Sequence, residues 1–487
     1  MELKNIANLI AQKKFSDAKT DLIQFIEKHK AFINKKSSKE NNYKNIYYTL
    51  SQVCKQLNEL ENSKKYLQKH LQINSLDCEA LLNLTNLQLK TLDIKDIEKN
   101  YKKILKINKD YLPAIVNLAI FYEGVGKINS AKKYYEKAKK LEPNNLNFHY
   151  NLIRIDPKYL NSQKITSIKE VIKNSNVPKE KEFLADFILS KHHEINKDYV
   201  NEIKFLDLSH QNFLKFNVNK KAQEYWSKII PYIHNKLILL NSTKQTLSNM
   251  KPIFIIGLPR SGSTLTELIL STSKTTKHIL GESNIINHSL INNYNDKLFN
   301  NVEKKIEIDL NYLEEKIAMS LNNFKISSFD NTMIIDKSLE NFFYVDLIIK
   351  IFPKAKFIIT ERNLKDNIIG IYKKLLLEIP WAHSIHDIVK YIDNYKSITD
   401  FYKKKYNKNF ISIKLVDFKN STKVKNLFKF CDLKFNQNYS NFKNNHQFVN
   451  NASNIQIRNN LENYDRQKYK KYFHLLDRFK DKFPWID

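Results

Sequence analysis

Residues 252–271 read Pro-Ile-Phe-Ile-Ile-Gly-Leu-Pro-Arg-Ser-Gly-Ser-Thr-Leu-Thr-Glu-Leu-Ile-Leu-Ser, and their pattern predicts the architecture of the C-terminal half. Ile253 to Ile256 form a short, fully apolar run, which is typical of a buried strand in a parallel sheet. Helical spacing of apolar residues begins at Leu265, directly after a glycine-containing loop, Gly257 to Thr264. In a strand, glycine loop and helix of this kind, backbone N–H groups and the positive end of the helix bind a phosphate-like anion.

The loop differs from the one that ATPases use. Gly257, Gly262 and Thr264 fit the pattern G-x-x-x-x-G-K-[ST], but Ser263 stands where the lysine belongs. That lysine reaches the β- and γ-phosphates, so its absence argues against ordinary ATP or GTP hydrolysis. The cation of this loop is Arg260 instead. A nucleotide kinase or NTPase with a divergent loop remains an alternative.

Two further apolar segments predict strands of the same sheet. Thr332–Asp336 is followed by Lys337, and Ala355–Thr360 is followed by Glu361 and Arg362. Ligands of open α/β sheets lie at the carboxyl ends of the strands. The polar residues at these ends are therefore candidate ligand-binding residues.

The N-terminal third contains a repeat of 34 residues. Three helix ends lie at Ile73, Ile107 and Leu141, and small or apolar positions at Ser63, Ile97 and Ala131 keep the same spacing. A period of 34 with two amphipathic helices per unit is that of the tetratricopeptide repeat. The pattern predicts an α-solenoid over residues 1–155, either as a concave surface for a peptide or protein partner, or as a scaffold that packs on a catalytic domain.

The rest of the chain divides in two. Residues 156–249 carry helical apolar spacing without a period and are predicted to be a helical connector. Residues 250–487 are predicted to form a three-layer α/β/α domain of the P-loop type with a parallel sheet.

Composition excludes several classes of protein. The 487 residues include 42% hydrophobic residues but only 6 Gly and 10 Pro, which excludes a wholly disordered or collagen-like chain. Three scattered cysteines, Cys54, Cys78 and Cys431, form neither a disulfide framework nor a cysteine-based zinc site. Because the sequence shows no signal-peptide pattern and no apolar run of the roughly 20 residues that span a bilayer, we predict a cytoplasmic protein without a membrane span.

The chain is strongly basic. Lys and Arg number 81 and Asp and Glu 51, so the net charge is +30. Two interpretations stay open: compositional bias on solvated helix faces, or attraction to an anionic partner such as a nucleotide cofactor or an acidic substrate. Basic clusters such as Lys403 to Lys405 favour solvated faces over a nucleic-acid surface.

Taken together, these motifs resemble those of one enzyme family. The Pro-Arg-Ser-Gly-Ser-Thr-Leu loop is similar to the 5′-phosphosulfate loop of sulfotransferases, which use 3′-phosphoadenosine 5′-phosphosulfate (PAPS). With the repeats, Gly281-Glu282 and Asp336-Lys337, the chain resembles tetratricopeptide-repeat sulfotransferases, including the tyrosylprotein type. The resemblance implies a site that binds PAPS and needs no metal, with a first group of cofactor-binding residues at Arg260, Ser261, Gly262, Ser263 and Thr264.

The resemblance also implies roles for single residues. Arg362 would bind the 3′-phosphate, Glu282 would be the general base, and Lys337 would stabilise the bridging oxygen, with Arg260 holding the phosphosulfate. Asp336 has a competing interpretation, because an apolar strand that ends in Asp is also typical of a magnesium-binding kinase. The missing lysine at position 263 favours the sulfotransferase interpretation.

A late segment and two departures complete the comparison with the family. Residues 451–458 resemble a loop that covers the nucleotide, which makes Ser453, Gln456 and Arg458 candidate cofactor-binding residues. Gly370 stands where the family has a Ser that binds the 3′-phosphate. Leu415 and Val416 stand where it usually has Tyr-Glu.

The function implied is transfer of a sulfuryl group from PAPS to an acceptor hydroxyl of a protein tyrosine, a carbohydrate or a small molecule. The bisphosphate product, 3′-phosphoadenosine 5′-phosphate (PAP), is released. Besides the kinase, one alternative remains, a non-catalytic scaffold in which Gly370 and Leu415 mark a decayed site.

Overall fold

The predicted N-terminal run of helices is confirmed by a computed structural model. It describes residues 2–33, 45–174, 178–217, 219–240, 245–276, 278–300, 305–444 and 468–486. The helices of this part are α1 (Glu2–Ala11), α2 (Phe15–Lys28), α3 (Lys30–Ile33), α4 (Ile46–Gln56), α5 (Leu60–Ile73), α6 (Cys78–Lys90), α7 (Ile97–Ile107), α8 (Leu112–Gly124), α9 (Ile128–Leu141) and α10 (Leu146–Ile155). Helix α4 packs on α5, and α6 packs on α7.

The 34-residue spacing corresponds to one buried position in each repeat. Ser63, Ile97 and Ala131 occupy equivalent places on α5, α7 and α9, and all three are fully buried. The hydroxyl of Ser63 donates to the carbonyl of Ser51 over 2.8 Å, so this polar side chain is satisfied within its helix pair.

By its internal contacts the chain forms two units. The first comprises Met1–Tyr122, Asn129–Leu141 and Lys316–Ser327, and the second comprises Glu123–Ile128, Glu142–Glu315 and Ser328–Asp487. The first unit therefore includes a segment that is remote in sequence. Its Asn323 side chain accepts a hydrogen bond from the Leu60 N–H and donates one to the Asn58 carbonyl, each over 2.9 Å. It thereby satisfies an N–H in the first turn of α5, which no residue of its own helix can do.

The predicted connector is helical except at its end. It contains α11 (Ser162–Asn174), α12 (Glu182–Ile195), α13 (Tyr199–Phe216), α14 (Lys220–Glu224) and α15 (Ile233–Lys236). The helical pattern is wrong for Leu237–Leu240, which form strand β1. This strand pairs in parallel with β4 (Ile306–Asp309), and inter-strand hydrogen bonds between distant residues are not visible in local spacing.

The second unit contains a five-stranded sheet, and the prediction of a parallel sheet is confirmed. Its strands are β2 (Lys251–Gly257), β3 (His278–Ile279), β5 (Met333–Asp336), β6 (Lys356–Glu361) and β7 (Phe410–Lys414). They lie in the order β3-β5-β2-β6-β7, and every neighbouring pair is parallel. Central strand β2 is buried from Pro252 to Gly257, and a parallel strand pairs with each of its edges.

Among the described residues, the later helices of the second unit are α16 (Ser263–Ser271), α17 (Ile285–Asn300), α19 (Val345–Ile351), α20 (Leu364–Tyr372), α21 (Ile385–Lys405) and α22 (Ser421–Phe430). Helix α18 (Leu310–Asn322) is divided between the two units. Apolar residues of β2, α16 and α22, including Ile255, Leu268 and Phe428, share one core. The carboxyl ends of β2, β3, β5 and β6 lie along one edge of the parallel sheet. The segments that follow these four strands are therefore brought together.

Candidate functional site

The loop between β2 and α16 has a backbone that only a few residue types can adopt. Gly257 and Gly262 have φ values of 151° and 104°, and Arg260 has φ 70°. A Cβ atom on Gly257 would lie 2.6 Å from Oγ1 of Thr360, a contact that side chains do not make. Glycine is therefore required at position 257, where the loop leaves the sheet beside β6.

Hydrogen bonds fix the loop to the neighbouring strand. The Ser261 hydroxyl lies 2.7 Å from the Leu258 carbonyl, to which it donates, and 2.6 Å from the Thr360 hydroxyl. Helix α16 begins directly after Gly262, with Ser263 and Thr264 buried in its first turn. The loop thus presents backbone N–H groups at the positive end of a helix, which suits an anion.

The predicted base and the predicted leaving-group lysine form an ion pair. Nζ of Lys337 lies 2.6 Å from Oε1 of Glu282. The Lys337 side chain is 2% exposed and the Glu282 side chain 46% exposed, so only the carboxylate is open to solvent. The backbone N–H of Lys337 also donates to the Gly281 carbonyl over 2.8 Å, which ties the Glu282 loop to the end of β5.

Asp336 is engaged by the protein itself. The Ser283 hydroxyl donates to one of its oxygens, and the Ser338 N–H and the Asn341 amide donate to the other over 2.9 and 3.0 Å. Burial raises the pKa of Asp336 although these bonds favour the charged form. Its oxygens hold the loops after β3 and β5 together.

Sequence reasoning missed a second carboxyl beside Lys337. Glu267 lies on α16, is 5% exposed, and has one oxygen without a hydrogen-bond partner among the described residues. Burial raises its pKa to about 7, against the influence of Lys337. Burial alone would lower the pKa of Lys337, but Glu282 and Glu267 outweigh it and raise that pKa. The lysine is thus kept charged by two carboxyls.

Arg362 and Arg260 approach each other at the edge of the sheet. Nη1 of Arg362 lies 3.4 Å from the carbonyl oxygen of Arg260, to which it donates. Both arginines border Gly370 of α20, since a Cβ atom there would lie 3.9 Å from Cβ of Arg260 and 3.9 Å from Nη1 of Arg362. The structure therefore brings the phosphate loop, Arg362 and Gly370 to one place.

Lys374 belongs to the same region and was not predicted. Burial, followed by the charge of Arg260 and of Lys191, holds the pKa of Lys374 well below its usual range. A cation beside other cations gains from a bound anion. Nothing in the sequence around Lys374 distinguishes it from the other Lys and Arg residues, which number 81 in all.

The remaining predicted residues have two different outcomes. Ser453, Gln456 and Arg458 lie outside the described residues. Leu415 packs against the phosphate loop, where a Cβ atom on Gly262 would lie 2.9 Å from its Cδ1 atom. Leu415 stands where the resembled family usually has Tyr, so an apolar side chain borders the phosphate loop at this point.

Two features are absent from the described part of the chain. No helix there has the length and apolarity of a bilayer span. Within the same ranges, no three His, Cys, Asp or Glu side chains gather where they could hold a metal ion.

Residues 252–437 match the sulfotransferase family, and residues 45–75 and 112–145 match the tetratricopeptide repeat. A curated relative, an uncharacterized protein of Aquifex aeolicus (strain VF5), is 22% identical over 441 residues, which are 87% of this chain and 55% of the relative. The chain thus spans about half the length of that relative.

Two solved structures are similar over part of the chain. The sulfotransferase STF1 from Mycobacterium tuberculosis H37Rv is 10% identical, with 61% of this chain and 98% of that chain covered and a TM-score of 0.28. The sulfotransferase STF9 from Mycobacterium avium is 9% identical, with 66% and 96% covered and a TM-score of 0.29.

Proposed function

From a chain that combines tetratricopeptide repeats with a domain of the sulfotransferase family, we propose an enzyme that transfers a sulfuryl group from PAPS to an acceptor hydroxyl. One observation carries the proposal. The phosphate loop is bordered by arginines, and the same edge of the sheet holds a lysine paired with an exposed carboxylate, Lys337 with Glu282 over 2.6 Å.

The residues present fit the anionic groups of PAPS. The loop from Gly257 to Thr264 offers backbone N–H groups and the positive end of α16 to the 5′-phosphosulfate, with Arg260 beside them. Arg362 supplies a cation for the 3′-phosphate. Gly370 leaves open the space that a side chain would fill between the two arginines.

When bound, PAPS supplies an activated sulfuryl group and a phosphate leaving group. Glu282 accepts the proton of the acceptor hydroxyl as the oxygen attacks, because it is the exposed member of the ion pair. Lys337 donates a hydrogen bond to the oxygen that bridges phosphorus and sulfur, where negative charge develops.

The kinase alternative is weaker at two positions. Ser263 cannot replace the lysine that reaches the β- and γ-phosphates. Asp336, which would hold magnesium in a kinase, has both oxygens occupied by Ser283, Ser338 and Asn341.

The repeats suggest that the acceptor or a partner is a protein. In the first unit the Asn86 side-chain oxygen accepts hydrogen bonds from the Tyr101 hydroxyl over 2.8 Å and from the Asn117 amide over 3.0 Å. Polar side chains ordered in this way on successive repeats suit a peptide backbone. A tyrosine peptide is the first acceptor to test, with a carbohydrate and a simple phenol beside it.

Calorimetric titration with PAP, and with ATP and magnesium for comparison, tests the cofactor. We expect micromolar or tighter PAP binding and weak ATP binding. Binding of neither nucleotide supports the scaffold alternative, and a preference for ATP overturns the assignment of the loop. A variant, Arg362→Gln, tests the 3′-phosphate site. It should weaken the binding of PAP far more than the binding of adenosine 5′-phosphate, which lacks the 3′-phosphate.

A further inference from the structure

Gly370 stands where the resembled family has a serine, and an aromatic ring of the C-terminal segment lies next to it. A Cβ atom on Gly370 would lie 3.2 Å from Cε2 of Tyr469, closer than most side-chain contacts. The same Cβ atom would face Arg260 and Arg362. The ring of Tyr469 therefore borders the space that a serine side chain occupies in the resembled family.

Tyr469 is held in this place by several contacts. Its backbone N–H donates to Oδ1 of Asp366 over 3.2 Å, which joins it to the first turn of α20. The guanidinium carbon of Arg362 lies 5.8 Å from the centre of its ring, within the range of a cation–π contact. The residue is 7% exposed.

The segment that carries Tyr469 is also fixed one turn further on. The Tyr472 hydroxyl accepts a hydrogen bond from Nζ of Lys373 over 2.6 Å and donates one to Glu202 over 2.8 Å. Lys373 follows α20 directly, and Glu202 is fully buried on α13. The position of Tyr469 beside Arg362 is therefore anchored on both sides.

We propose that Tyr469 is a nucleotide-binding residue whose hydroxyl takes the place of the missing serine hydroxyl toward the 3′-phosphate. No described residue bonds the Tyr469 hydroxyl, so it is available as a donor. Gly370 permits the ring to approach, and Arg362, under the ring, supplies the charge. This inference rests on the proposed function, because it assumes a nucleotide with a 3′-phosphate.

The test compares the affinities for PAP and for adenosine 5′-phosphate, which lacks the 3′-phosphate. We expect Tyr469→Phe to weaken PAP binding about 10-fold, as for one hydrogen bond to a charged group, with adenosine 5′-phosphate unchanged. The melting temperature should stay the same, because the ring is retained. The control is Tyr232→Phe at an exposed tyrosine, which should leave both the melting temperature and the affinity ratio unchanged.

A second pair of variants tests the exchange of hydroxyls. Tyr469→Ala should remove most of the preference for PAP, and addition of Gly370→Ser should restore part of it, because the serine then has both space and a phosphate to bind. A wild-type protein without any preference for PAP overturns the proposed function and this inference with it. A wild-type preference that survives unchanged in Tyr469→Phe overturns the inference alone.

Discussion

Glu282 and Lys337 are 55 positions apart in sequence, yet their side chains meet at 2.6 Å. The Lys337 side chain is buried and therefore fixed, whereas the Glu282 carboxylate is half-exposed and therefore free to move. A carboxylate that can leave its partner is suited to take a proton, and a buried lysine is suited to stabilise charge that develops in place. The predictions below start from this difference.

Glu282→Gln should reduce the rate of sulfuryl transfer about 10²- to 10⁴-fold, the usual contribution of a general base. PAP affinity should change much less, because the loop and the arginines remain. Radiolabelled PAPS gives the rate, and calorimetry gives the affinity. The control is Glu224→Gln, which removes an exposed ion pair with Lys228. Equal losses of rate and affinity would remove Glu282 from the role of base.

Glu267 should make stability depend on pH. Its pKa is raised by burial to about 7 in the folded protein, from an ordinary value of 4.5. Between these values the unfolded chain has released a proton that the folded protein retains, so Glu267 lowers the free energy of unfolding as pH rises from about 4.5 to about 7. Glu267→Gln removes this loss. The melting temperature of the variant relative to wild type should therefore be higher at pH 8 than at pH 5, and an equal offset at both pH values would contradict this.

Gly257→Ala should abolish PAP binding or folding of the loop. The new Cβ atom would meet Oγ1 of Thr360 at 2.6 Å, and φ of 151° strains any side chain. Gly281→Ala is the matched comparison, since its φ of 60° is also positive but no atom lies within 4 Å of the new Cβ atom. We expect a cost of about 1–2 kcal/mol there, from backbone strain alone. PAP affinity and thermal unfolding of both variants distinguish the two effects.

A buried histidine pair predicts loss of stability in acid. Nδ1 of His210 lies 2.9 Å from Nδ1 of His383, and Nε2 of His210 donates to the Tyr372 carbonyl. Burial lowers the pKa of His210 to about 3 and that of His383 to about 4. Below pH 6.5 the unfolded chain therefore binds protons that the folded protein does not, and stability falls as pH decreases from about 6.5 to about 4.

His383→Gln tests the histidine pair, because its amide can still donate to His210. Its melting temperature should fall less steeply with acid than that of the wild type. His386→Gln, at an exposed position beside the pair in sequence, should keep the wild-type slope. An unchanged slope in His383→Gln would show that other groups govern the response to acid.

Local features of this protein were readable from sequence, and long-range ones were not. The loop at Gly257 to Thr264 was predicted because its glycines and apolar flanks are neighbours in the chain. The pairing of β1 with β4 was missed because it joins residues about 70 positions apart. Tyr469 and Lys374 were missed for a related reason, since only tertiary structure places one tyrosine or one lysine among many beside Arg362 and Arg260.

The hydrogen bonds of Asn323 have a consequence for how such a chain could arise. Because residues 316–327 belong with the repeats while the sequence on both sides of them belongs to the second unit, the two units are interleaved along the gene rather than arranged end to end. Recombination at a single junction could not exchange the repeats of this protein for those of another. The helix start at Leu60 would lose the distant asparagine that caps it. An exchange that kept the repeats intact would have to carry the segment around Asn323 with them.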